Sequence, residues 1–428
     1  VTTGADATRS VTVSMAAGLS GAATLDAIGG TATFSGLKYT GLIGTYTVTY
    51  SSGAFTALTE NITVGYGTAT KVGFGTQAAG AVNGVAFTTQ PTVEIQDVSG
   101  NKVTTSTASI AVSTSAGATL GGTTTNNATS GSLTFSGLKL TGASGDYTLT
   151  YASTGLTSAV QNITNAPGAA TKITITGSSS AANDQALAVQ PVVSVRDASD
   201  NVVTGSTASI TLTATGATIG GTVTMNAVSG VADFTGSGVK LTGLVGAKTI
   251  TATSTPGGFT ANLSVNLTFG TAVKLGVSAA TVSATNRVAF GTQPTITVQD
   301  VSGNTVDNAT NSITASVTSA NAADVALGGT TVSAATAGSH TFTNLKLSGK
   351  AATYTITYAA SGLTSAIQTA TLVAGAVDHL SLFASAAGAV DGVAYTTQPV
   401  VKLLDADENL TTSTATVAIS VATGANSG

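Results

Sequence analysis

The chain has 428 residues, 42% of them hydrophobic and only 7% charged, with a formal net charge of −4 and no cysteine. That length holds about three to four ordinary domains, and the apolar fraction supplies material for their cores. The composition excludes disulfides and thiolate metal sites, and without a basic stripe to neutralise phosphates nucleic acid is not an expected partner. Charge is far below the roughly 25% of an average soluble protein, yet Val, Ile and Thr are abundant and alternate, which favours an ordered β-rich chain over disorder. No apolar run approaches the roughly twenty residues of a transmembrane helix, and no leader-like segment opens the sequence. Export and anchoring elements are therefore expected outside it.

In chain order, the same landmarks recur about every hundred residues. "VTVSMAAG" near 11–18, "FSGLKYTG" at 34–41 and "TYTVTY" at 45–50 come first. An opening "GTATK" follows at Gly67–Lys71 and returns at Gly168–Lys172, Gly270–Lys274 and, loosely, Gly375–His379. Next is a Gln-Pro strand with Pro91, Pro191, Pro294 and Pro399, then a Gly pair at Gly121, Gly220 and Gly328. "FSGLKLTG" at 135–142 and "DYTLTY" at 146–151 close the unit, with counterparts in the other copies. The copies are 1–66 (later strands only), 67–166, 167–269, 270–374 and 375–428 (opening strands only).

Within the Gln-Pro strand, Val93, Val193, Ile296 and Val401 share one position, and Ile95, Val195, Val298 and Leu403 the position two further on. The residue between them varies: Glu94, Ser194, Thr297, Lys402. Apolar residues kept at period two around variable polar ones mark a strand with one buried face. Pro at its entrance fits, because Pro is tolerated at the first residue or an edge. The turn that follows keeps Asp and Asn: Asp97/Asn101, Asp197/Asn201, Asp300/Asn304 and Asp405/Asn409. Asp can accept hydrogen bonds from backbone N–H groups just downstream, and Asn tolerates the left-handed conformation a hairpin often needs.

The second copy reads as seven short strands: "KVGFG", "PTVEIQD", "SIAVSTS", "ATLGGT", "GSLTFSGLKL", "DYTLTYAS" and "SAVQNITN". Seven strands in about a hundred residues predict an immunoglobulin-like sandwich. The fold class expected is all-β, with tandem immunoglobulin-like β-sandwich domains forming a rod. Tyr46, Tyr147 and Tyr354 stand where a tyrosine corner would, whereas the third copy has Lys248.

The pattern V-x-D-x-x-G-N-x-V followed by G-x-Y-x-(V/I/L)-x-Y resembles the bacterial immunoglobulin-like repeats of invasin- and intimin-type adhesins and of large surface-layer proteins. The resemblance covers nearly the whole chain as tandem copies, apart from Asp200 for Gly and Lys248 for Tyr in the third. It implies a spacer or surface scaffold and is weak for function. The incomplete copies at the two ends are expected to mark a segment of a longer protein. Head-to-tail completion between chains is the rival, and it would supply one strand twice, because "VTVSMAAG" and "TVAISVATG" near 416–424 both match "SIAVSTSAG".

Catalysis needs converging partners. The two histidines, His340 and His379, do not recur between copies, and no nucleophile elbow, P-loop or H-E-x-x-H is present. No enzyme is expected. Calcium is the one metal considered, at Asp405, Asp407 and Asn409, which alternate as in hard-cation loops. Against it, Leu410 follows where Gly would be wanted, and the sister turns lack the middle acid. Lys38, Lys139, Lys240 and Lys346 are read as guards of a sheet edge, with Lys–Asn crosslinking the alternative. Asn61, Asn162 and Asn262 head Asn-x-Ser/Thr sequences on the same last strand, which leaves glycans as a partner class. Thr rows such as "YTVTY" raise ice or glycan binding, though they are also ordinary strand faces.

The expected function is a non-enzymatic extracellular structural protein of a microbial surface layer, sheath or filament, its partners being copies of itself in a lattice or fibre. The alternative is the stalk of a cell-surface adhesin.

Overall fold

The computed structural model describes residues 9–16, 18–420 and 422. Residues 1–8, 421 and 423–428 of the two incomplete copies, and Ala17 within "VTVSMAAG", lie outside the described residues. The chain is all-β among the described residues, apart from a single 3-10 turn at Ala322–Asp324. It falls into two compact units, Val1–Thr174 with Ser194–Ala208 and Ala227–Val231, and Ile175–Val193 with Ser209–Asn226 and Ala232–Gly428.

In the first unit, the copy at 67–166 forms a four-stranded antiparallel sheet in the order Thr125–Asn127, Ser109–Thr114, Gly145–Ala152, Ala159–Asn165. A three-stranded sheet, Ser132–Thr134, Thr92–Gln96, Lys71–Thr76, supplies the other layer. Period-two alternation places Val93 and Ile95 inward from one layer and Ile110, Leu149 and Tyr151 from the other. Each such side chain contributes on the order of 1.5–3 kcal/mol on burial. Phe74 meets Tyr151 edge-on, ring centroids 5.4 Å apart, which ties the layers across the core.

This copy has nine strands, not seven. "GSLTFSGLKL" is two strands: Ser132–Thr134 pairs with Thr92–Gln96, and Lys139–Gly142 pairs with Ala118–Gly121. Phe135, Leu138 and Leu140 are all buried, and the three-residue step from Phe135 to Leu138 cannot lie on one face of a single strand. The chain turns between them at Gly137, with φ +63°. The short strand Thr125–Asn127 is the other addition.

In the second unit, the copy at 270–374 builds a five-stranded sheet in the order Thr281–Thr285, Ala366–Val373, Thr353–Ala359, Ser312–Val317, Val332–Ala334. Its first strand runs parallel to its neighbour and covers the edge that Ala366–Val373 would otherwise expose. The same addition occurs in the preceding copy, where Ser180–Ala182 lies parallel on Thr260–Thr268. In the 67–166 copy the cover is shorter, a single parallel bridge between Val82 and Ala166, beside which Gln161 Oε1 accepts from Ala78 N–H at 3.0 Å and its amide donates to Ala78 O at 2.5 Å.

These are immunoglobulin-like β-sandwiches in tandem. The tyrosines behave as corners: Tyr46 donates to Leu42 O at 2.8 Å, Tyr147 to Ala143 O at 2.9 Å and Tyr354 to Lys350 O at 2.7 Å. The copy at 375–428 contributes the hairpin His379–Ala384 with Val400–Leu404. Of the strand expected at "TVAISVATG" near 416–424, residues 416–420 form none, and Val421, Thr423 and Gly424 lie outside the described residues. In the 67–166 copy the matching strand is held between Thr125–Asn127 and Gly145–Ala152.

Candidate functional site: the aspartate joints

The Asp turn is braced from within. Asp97 Oδ1 accepts from Ser99 N–H and Asn101 N–H, both at 2.9 Å, while Asp97 N–H donates to Asn101 O at 2.9 Å. Asp97 Oδ2 accepts from Asn101 Nδ2 at 2.9 Å. The left-handed residue is the one before Asn rather than Asn itself: Gly100 (φ +88°), Asp200 (+66°), Gly303 (+87°) and Glu408 (+64°). Asn is reserved for a different task, because its side chain is what joins one copy to another.

Asp197 shows the joint in full. Its Oδ2 accepts from Gly168 N–H in the link at 2.8 Å, and from Nδ2 of Asn83, in the preceding copy, at 2.8 Å. Asn83 Oδ1 in turn accepts from Gly142 N–H at 2.9 Å. Asn201 closes the other side, donating to Gly142 O at 3.0 Å and accepting from Ser144 N–H at 2.7 Å. The set recurs with Asp300, Gly270, Asn183 and Asn304. It recurs again with Asp405, Gly375, Asn286 and Asn409. Asp97 engages Gly67, and Asn101 engages Gly41 and Ile43, in the same way.

Each of these aspartates is almost wholly buried. Burial by itself would raise the carboxyl's pKa, but the converging N–H donors favour the charged form more strongly. Asp197 is thereby lowered to about 2. Asp97 and Asp300 are lowered too, and Asp405 is held far below the usual carboxylate range by Gly375, Asn409 and Asn286 against the same burial.

The calcium candidates Asp405, Asp407 and Asn409 all lie in the last joint. Asp405 Oδ1 accepts from Asp407 N–H and Asn409 N–H at 2.9 and 3.0 Å, and its Oδ2 from Gly375 and Asn286, both at 2.8 Å. Asp407 accepts from Asn286 Nδ2 at 2.8 Å and from Arg287 Nε and Nη2 at 2.7 and 2.8 Å. Asn409 Oδ1 accepts from Ala351 N–H at 2.6 Å. A cation here has to displace N–H donors from these oxygens. Among the described residues no group of three or more His, Cys, Asp and Glu is arranged to hold a metal.

The other candidates disperse. His340 packs edge-on against Phe342 at 5.0 Å, and His379 lies between Asp378 and Glu408 at 3.1 and 3.2 Å. Lys240 pairs with Asp184 at 2.7 Å. Asn61, Asn162 and Asn262 are exposed, and each accepts from a Thr hydroxyl on the paired strand: Thr47, Thr148 and Thr251. That cross-strand pair accounts for their recurrence without a glycan. Sequence reasoning passed over Asn83, Asn183 and Asn286. The available signal was their constant place seven residues before the Gln of the Gln-Pro strand. That Gln was passed over as well: Gln90 bridges Phe87 O and Leu138 O and accepts from Leu138 N–H, as Gln190 and Gln293 do in their own copies.

No known family matches the sequence, and no curated protein does. Among solved structures, Drosophila N-cadherin EC1-4 aligns at 13% identity over 86% of this chain and 92% of that one, TM-score 0.25. The extracellular cadherin domains 1–4 of protocadherin gamma B7 align at 9% identity over 85% and 92%, TM-score 0.30. A β-glycosidase from Bacteroides vulgatus aligns at 11% identity over 47% of this chain, TM-score 0.21. This chain spans about a quarter of the length of that glycosidase, 24%. TM-scores this low carry no functional argument, so the fold assignment stands on the strand topology.

Proposed function

We propose that the chain is a non-enzymatic, extracellular structural protein whose tandem sandwiches serve as a scaffold in a microbial surface layer, sheath or filament. The observation that carries this reading is the repeated joint. One buried carboxylate gathers its own turn, the linking Gly N–H and an Asn of the preceding copy, so successive copies are held by directional hydrogen bonds rather than left on a free linker. The nearly uncharged, Thr-bearing outer faces support it further, because close packing of neighbours then meets little charge repulsion. Its partners on this reading are copies of itself. Imaging native protein on the cell surface by negative stain tests it: an ordered sheet or fibre is expected, and separate particles would favour the adhesin stalk.

A further inference from the structure

The latch of Asp, Gly and Asn is nearly identical at the Asp197, Asp300 and Asp405 joints, so by itself it cannot tell one copy from another. Tandem copies this similar are prone to docking on the wrong neighbour or exchanging elements between chains. Two positions flanking the latch do differ. The residue after the latch Asn is Gly84, Asp184 or Arg287, and the residue two after the turn Asp is Ser199, Ser302 or Asp407. The last joint pairs Arg287 with Asp407 through two charge-assisted hydrogen bonds, Nε to Oδ2 at 2.7 Å and Nη2 to Oδ1 at 2.8 Å. Lys350 adds a bond to Asp407 O at 2.8 Å. At the joint before it, Ser302 Oγ takes the matching place and accepts from Asn183 Nδ2 at 3.0 Å, while Asp184 turns to Lys240 of its own copy.

A second observation is that Arg287 carries a local cost, as Asp184 (φ +62°) does at the same place. The φ of Arg287 is +63°, in the left-handed region where the 67–166 copy has Gly84 at +75°. A side chain kept in that conformation costs on the order of 1 kcal/mol, and the position accepts glycine elsewhere in the same chain.

We propose that Arg287 and Asp407 are the specificity-determining pair of a docking code between copies: the Arg287 loop accepts the Asp407 turn and not a Ser turn equally well. The code also excludes. The Asp184 loop set against the Asp407 turn would oppose two carboxylates, so the 167–269 copy is barred from the turn of the 375–428 copy. This goes beyond the surface-scaffold reading and does not depend on it, since it concerns which copies adjoin.

Hydrogen exchange on the full chain tests it. Gly375 N–H and Gly349 N–H report the last joint through Asp405 and Asn286. Gly270 N–H and Gly243 N–H report the one before it. Arg287→Asp is expected to lower protection at Gly375 and Gly349 several-fold, with Gly270 and Gly243 unchanged. The double exchange Arg287→Asp with Asp407→Arg is expected to restore it. Ser302→Asp is expected to loosen Gly270, and Asp184→Arg added to it to recover the loss, transplanting the code. Single exchanges without effect, or a double exchange without rescue, would overturn the proposal. Rescue also separates a pairing code from simple misfolding of the Arg287 variant.

Discussion

The turns at Asp197 and Asp405 perform the same task with different chemistry around them. Both bury a carboxylate, and both bind a linking Gly and an Asn from the preceding copy. Around Asp197 the neighbours are neutral on the loop side: Gly84 follows the latch Asn, and Ser199 Oγ stands 3.4 Å from Asn83 Oδ1. Around Asp405 the same two places hold Arg287 and Asp407. The shared part is buried and little screened, whereas the added ion pair is exposed and open to salt. Strength therefore resides in the common latch, and discrimination in the variable rim.

The largest effect is expected where the shared part is cut. Asp197→Ala strands the N–H groups of Ser199, Asn201 and Gly168 together with the Asn83 amide, and should cost roughly 3–5 kcal/mol at that joint. Denaturant unfolding, or protection at Gly168 N–H, measures it. Loss of less than 1 kcal/mol would show that water replaces the carboxylate easily.

Removing one arm is expected to cost less. Asn83→Ala leaves Asp197 its own turn and Gly168 but frees Gly142 N–H, for about 1–2 kcal/mol. Asn286→Ala should cost more than Asn83→Ala, because Asn286 also serves Asp407. Equal losses would mean that the charged rim adds nothing to the latch.

Acid titration probes both joints. The Asp197 pKa is depressed in the folded chain from its ordinary 3.8 to about 2. Its stabilisation is thus fully present above about pH 4 and is lost as pH falls toward about 2. Protection at Gly168 should be flat from pH 7 to 5, after correction for intrinsic exchange, and should fall only below 4. The Asp405 joint should persist to lower pH. Loss already at pH 5 would contradict the donor geometry.

A smaller contrast lies in the cores. Tyr358 OH donates to Gln368 Oε1 at 2.7 Å, and Gln368 donates to Ala279 O at 2.9 Å. The equivalent Tyr151 OH is buried without a partner, because Gln161 is engaged at both ends with Ala78. Tyr358→Phe should cost about 1 kcal/mol and Tyr151→Phe nothing. The smallest effect is expected from calcium. With N–H donors on the oxygens of Asp405 and Asp407, chelator or millimolar calcium should leave the Tm unchanged, and a rise on calcium addition would favour the cation reading.

Some of this was legible in the sequence for a physical reason. The buried face of Val93 and Ile95 follows from period two, and the Asp brace from a carboxylate two and four residues before the N–H groups it accepts. The tyrosine corner is likewise a contact four residues long. These are local rules, and local order records them. The Asn83–Asp197 contact spans 114 residues, and no local preference of Asn foretells it. The break inside "GSLTFSGLKL" was concealed because the segment is β-prone on both sides of Gly137, and only the burial of both Phe135 and Leu138 forces the turn. Over 416–420, the described part of "TVAISVATG" apart from Ala422, no strand forms although the residues are β-prone, since strand propensity is expressed only through pairing.

The linking glycine lies 30, 29, 30 and 30 residues before its aspartate in the four successive joints. The copies at 67–166, 167–269 and 270–374 thus each carry the receiving half of one joint and, in Asn83, Asn183 or Asn286, the offering half of the next. A gene built this way can gain or lose whole copies by unequal recombination and still encode intact joints at the new boundary. The last boundary is the exception. Arg287 and Asp407 lie in different copies, so a deletion falling between them would part a matched pair and leave a record in the next generation of the chain.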